Sequence, residues 1–245
     1  MSYQQIPLIH SSEEQFVYKF LSRYGEYAHY KTDTEREVTV FPTCTTPLEH
    51  LVEENWGVKS REHYCGNFRQ VRQISRLCDG TPVYLFAKGP ERRFTTSNTA
   101  LERGRVWWGG PRSGEKYVVL SDRVVEEAVL WEAVFLLELH EQNIRAEIPQ
   151  AVVEYQGRKE VIVQGIPTDY TVRSAPDQPS YEETRDKIAG LGIIPSDDYS
   201  CNLVSDTQGY NHIIDVNRWV WKPHTDDFSA RLFAAVQRAV TKRKT

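Results

Sequence analysis

The feature that most constrains this chain is the run SDRVVEEAVLWEAVFLLELHEQ at residues 121–142. It opens on a Ser/Asp cap, carries acids early, holds no Gly or Pro, and ends near Asn143, so it predicts a single long helix. Apolar residues cover most of its circumference. Such a helix must be buried on more than one side, and the rest of the chain has to supply that cover.

The flanking segments read as strands and shorter helices. Phe16, Val17, Phe20, Leu21 and Tyr24 recur at helical spacing, which predicts an amphipathic helix over 11–30 with Ser11 or Ser12 as its cap. Residues 39–46 read as strand then loop, and 48–56 as a short helix ended at Gly57. Phe68 to Leu77, the turn Cys78-Asp79-Gly80-Thr81 and the apolar run Val83 to Ala87 predict a hairpin. Residues 89–103 are polar and read as a loop. Residues 105–108 and 116–120, on either side of Gly109 to Gly114, predict a second hairpin. Residues 151–155 and 160–163 predict a third, 181–189 a short helix, and 228–241 a closing amphipathic helix whose basic end suits its dipole.

Composition sets the outer bounds. The chain has 245 residues, 40% hydrophobic and 26% charged, with a net charge of −4. That is ordinary for a soluble globular protein, and gives no reason to expect nucleic acid or an anionic membrane as partner. Cys44, Cys65, Cys78 and Cys201 show no C-x-x-C spacing, so neither a zinc knuckle nor a disulfide framework is indicated. The first residues lack the basic start and apolar run of a signal peptide, and no apolar run has membrane-span length, so a cytoplasmic location is expected.

The chemistry-bearing stretch is LGIIPSDDYSCNLVSDTQGYNHIIDVNRW, residues 191–219. It reads as a loop with two acids and an Asn, a brief strand at Leu203-Val204, a turn over 206–209, and a second strand, 212–214, ending in Asp215. Such a hairpin sets Asn202 and Asp215 at one edge. Asp197 leads Asn202 by five residues, the D-x-x-x-x-N spacing of a phosphoryl-transfer catalytic loop. Asp198 is adjacent and competes with Asp197. Oxygen ligands such as Asn202 and Asp215 suit Mg²⁺, and a carboxylate such as Asp197 can orient a hydroxyl or accept its proton.

This pattern resembles the D-x-x-x-x-N…hhD run of the protein kinase-like superfamily, in its aminoglycoside phosphotransferase-like branch of small-molecule and atypical kinases. The resemblance covers about the last half of the chain, and the order of elements before it is also kinase-like. It implies an α+β fold in two lobes, an enlarged N-terminal lobe over 1–166 and a reduced C-terminal lobe over 167–245. It implies ATP and Mg²⁺ as cofactors, a hydroxyl acceptor on a small molecule or protein, Asp197 as base, and Asn202 and Asp215 on the metal. The family also needs a strand lysine for the phosphates and a helix glutamate to hold it. Lys116 and Glu132, sixteen residues apart, take those places, with Lys88 in VYLFAKG as the competing lysine and Glu127 or Glu138 as competing acids. Glu132 stands among apolar positions, where an unpaired carboxylate is costly. The chain departs from the pattern in having no G-x-G-x-x-G loop, in Pro195-Ser196 before Asp197, and in Asp215-Val216-Asn217 where the metal-site triplet falls. A catalytically inactive relative, acting as a binding or regulatory module, is the alternative that these departures leave open.

Overall fold

A computed structural model describes residues 2–7, 14–52, 71–78, 81–90, 92–96, 107–108, 116–120, 123–166, 178–194, 203–206, 208, 210–216, 220–221 and 226–242, some of them by backbone alone. The fold is α+β, and its frame is a seven-stranded antiparallel sheet. The strands are β1 (Tyr3–Gln5), β2 (Ala28–Thr32), β3 (Glu37–Val40), β4 (Val71–Cys78), β5 (Thr81–Lys88), β9 (Ile148–Tyr155) and β10 (Arg158–Gln164). Their order across the sheet is β1-β2-β3-β9-β10-β5-β4.

Continuous apolar runs in the central strands follow from cover on both faces, because successive side chains point to opposite sides of a sheet. Phe86, Val152, Val161 and Val163 join one core cluster. Their chain neighbours Leu85, Ala87, Ala151, Val153 and Ile162 join another, with Leu51 and Val52 from α2 (Leu48–Leu51) and its end.

The long helix is α3 (Val124–Glu141), packed on β9 and β10 as its apolar circumference requires. Asn143 adopts φ 55°, its N–H donates to His140 O, and the N–H of Ile144 donates to Leu139 O at 2.8 Å. This left-handed cap satisfies the carbonyls of Leu139 and His140, and Leu139 and Ile144 are both buried. α1 (Gln15–Leu21) packs on α3, as does α5 (Asp226–Lys242). Ile188 of α4 (Gln178–Gly190), Leu203, Ile213, Val216 and Leu232 belong to the same core cluster as α3. These described residues after position 178 therefore share one core with the sheet and helix before them.

Three hairpins agree with the sequence reading. β4 pairs β5, β9 pairs β10 through Gln156 and Gly157, and β11 (Leu203–Ser205) pairs β12 (Asn211–Ile213). Gln156 at φ 52° and Gly157 at φ 73° form the two-residue turn whose twist matches the strands.

Two expectations need correction. The helix expected over 11–30 is only α1 with a 3-10 turn, Ser22–Tyr24, and residues 28–32 form β2. Gly25 ends it at φ 122°, where an added Cβ would meet Pro42 Cγ at 2.9 Å, and β3 then captures the chain. The expected pairing of 105–108 with 116–120 is also wrong. β7 (Trp107–Trp108) and β8 (Lys116–Val119) each pair with β6 (Arg93–Thr96), a strand inside the stretch read as a loop. The caps expected at Ser11 or Ser12 and the helix beyond residue 52 lie outside the described residues. No helix among the described residues is long and apolar enough to cross a membrane.

Candidate functional site

Lys88 ends β5, the last residue of an apolar strand, and only 5% of its surface is exposed. Alternation puts it on the same face as Phe86, toward α3. A buried ammonium needs a carboxylate and hydrogen bonds. It finds both in Glu147, 3% exposed, which stands immediately before β9 and forms an ion pair with Lys88 Nζ.

Glu147 also holds the chemistry-bearing hairpin. Its N–H donates to Ile213 O at 3.1 Å, and the N–H of Ile213 donates to Arg145 O at 2.9 Å. Ala146 and Ile213 form a parallel bridge, and the Arg145 guanidinium lies 3.9 Å from the ring centre of Tyr210. Two residues past Ile213, the N–H of Asp215 donates to Glu147 Oε2 at 3.4 Å, the long end of a hydrogen bond. Asp215 is half-buried and adopts φ 56°, a left-handed conformation in which Asp is several-fold enriched over other non-glycine residues. Lys88 and Asp215, 127 positions apart in sequence, thus meet the same carboxylate.

Asp206 braces the end of the hairpin. Asp206 accepts the N–H groups of Gln208 and Tyr210, both at 2.9 Å, and lies 2.8 Å from His212 Nε2. The His212 hydrogen bond, with the two backbone donors, holds the Asp206 carboxyl below its ordinary range.

The acids of α3 have divided tasks. Glu126 pairs with Arg92 and accepts the N–H of Lys159 at 2.8 Å. Glu127 accepts two hydrogen bonds from Arg231 of α5, at 2.7 and 2.8 Å, and a third from Trp131 Nε1. Glu138 accepts the Tyr24 hydroxyl at 2.5 Å; burial, then that bond, pushes the phenol upward. Glu132 is 1% exposed within the core. Lys116 opens β8 in the separate three-stranded sheet, and its side chain lies outside the described residues. Asp197, Asp198 and Asn202 also lie outside them.

Of the sequence candidates, then, Lys88 and Asp215 are brought together, through an acid the sequence reading passed over. Glu147 sits in RAEIPQ, ahead of a proline, where an acid reads as loop decoration. The signal was in Lys88: a lysine closing an apolar strand demands a buried partner. Among the described residues, no group of three or more His, Cys, Asp or Glu is placed to hold a metal ion. No protein-family model matches the chain, and no curated protein matches it.

Proposed function

We propose that this chain binds ATP with Mg²⁺ and transfers a phosphoryl group to a hydroxyl. Lys88 is the lysine that neutralises phosphate oxygens, Asp215 and Asn202 are the metal ligands, and Asp197 is the base that receives the hydroxyl proton. The acceptor is a small molecule or a protein side chain.

The observation that carries this reading is the shared carboxylate of Glu147, with Lys88 on one side and the backbone of Asp215 on the other. Phosphoryl transfer makes little covalent demand on a protein and depends on fixed charges of both signs around the phosphates. An ammonium and the backbone of an aspartate joined through one buried acid fit that need. Bound Mg-ATP would supply the transferable group and the cation's charge. What the chain's own residues do is hold Lys88 in one place, keep Asp215 left-handed beside the hairpin, and bury the acid that links them.

A second reading, a nucleotide-binding module without transfer, is favoured by the missing G-x-G-x-x-G loop. ADP release from Mg-ATP, measured beside nucleotide binding, separates the two. Transfer predicts turnover in the wild type that falls roughly 10²–10⁴-fold in Asp197→Asn, with binding retained. Binding without turnover under every acceptor tried supports the module.

A further inference from the structure

We infer that Glu147 is the positioning residue of this site, coupling the Lys88 ammonium to the backbone of Asp215; the inference rests on the nucleotide reading above for its purpose, though not for its geometry. Glu147 is gripped by main chain and side chain at once. Its backbone N–H is bonded to Ile213, while its Oε2 meets both Lys88 Nζ and the N–H of Asp215. Residues 145–147 and 213–215 are therefore one mechanical piece, braced by the Arg145–Tyr210 stack.

Stability alone does not account for the arrangement. A buried ion pair is commonly matched or exceeded in stability by apolar residues of similar volume, so its worth here lies in geometry. Left-handed backbone at a residue other than glycine persists only where its surroundings hold it, and Glu147 is one such hold on Asp215. The acid on Lys88 is Glu147 and not a residue of α3, where Glu126, Glu127 and Glu138 are engaged with Arg92, Arg231 and Tyr24. The carboxylate at Lys88 comes instead from the lead-in to β9, on the chain segment that also carries the hairpin. Whatever sets Lys88 sets Asp215 with it.

Amide hydrogen exchange of Asp215 tests the coupling without any nucleotide, with the amide of Leu130, mid-way along α3, reporting global opening. In Glu147→Ala, Asp215 exchange rises at least tenfold relative to Leu130, and Glu147→Asp returns part of the protection. The double variant Lys88→Met with Glu147→Leu leaves no unpaired buried charge. It serves as the folded control, and the same relative rise is expected there. An unchanged ratio in both variants overturns the inference. Titration with Mg-ATP then separates inference from reading. A wild-type affinity that drops at least tenfold in Glu147→Ala and recovers in part in Glu147→Asp supports both. Equal affinity in wild type and Glu147→Ala overturns the positioning role and leaves the nucleotide reading standing. Absence of Mg-ATP binding in the wild type, with Asp215 exchange still governed by Glu147, overturns the nucleotide reading and the site's purpose but supports the coupling.

Discussion

Glu127 on α3 and Arg231 on α5 are joined by two parallel hydrogen bonds, at 2.7 and 2.8 Å, and this fork ties the closing helix to the central one. Glu127 is almost fully buried while Arg231 keeps about a third of its side chain exposed. Removing the arginine leaves a desolvated carboxylate that keeps its hydrogen bond from Trp131 Nε1 and has lost its cation.

Arg231→Ala is therefore expected to destabilise by roughly 2–4 kcal/mol, below the full cost of breaking a pair buried on both sides. Urea denaturation monitored by tryptophan fluorescence measures it. A change under about 0.5 kcal/mol, typical of surface positions, contradicts the tie.

The second expectation concerns the core around α3. Trp131 and Phe135 are at most 2% exposed, and Trp131 packs on Phe20 with ring centres 5.7 Å apart. Trp131→Ala and Phe135→Ala should each cost roughly 3–5 kcal/mol. A loss under about 1 kcal/mol at both places the helix on the surface.

A third expectation follows from the buried pair. Lys88→Met strands the Glu147 carboxylate and should destabilise by roughly 3–5 kcal/mol, whereas Lys88→Met with Glu147→Leu should return close to the wild-type stability. Additive losses in the double-mutant cycle contradict a direct pair.

The pH dependence has a defined sign at His29. Burial holds its imidazole below the ordinary range, against the opposing pull of Glu37 and Glu154, and Nδ1 lies 3.1 Å from Thr39 Oγ1. The folded state binds the proton more weakly than the unfolded chain. Stability attributable to His29 is thus complete above about pH 6.5 and declines as pH falls below it. His29→Gln should flatten the stability profile below about pH 6.5. An unchanged slope contradicts a buried, neutral imidazole.

Much of this architecture could be read from residues alone, and the reasons differ by element. α3 was legible because local signals agree along it: early acids, no breaker, and apolar residues all round. The β9–β10 hairpin was legible from Gln156-Gly157 between apolar runs. β2 was not, because Tyr24, Tyr27 and Ala28 suit helix or strand alike, and the choice was made by Gly25 and by pairing with β3. β6 was hidden for another reason: Arg93–Thr96 has Phe94 as its one apolar residue, and its strand character comes from partners on both sides. At the site, Asp215 was marked by its place after Ile213-Ile214. Its connection to Lys88 runs through Glu147, which is 59 residues from the lysine and 68 from the aspartate, so no local spacing could reveal it.

The central claim, that Lys88 and Asp215 form a Mg-ATP site, is tested most directly by a thermal-shift titration with ATP, with and without Mg²⁺. A ligand at about 100 times its dissociation constant stabilises the native state by about 2.7 kcal/mol, or roughly 5–10 °C for a chain of this size. The wild type should show that rise only when Mg²⁺ is present, and Lys88→Met and Asp215→Asn should lose most of it. A flat wild-type curve up to millimolar Mg-ATP, or equal shifts in all three proteins, contradicts the claim.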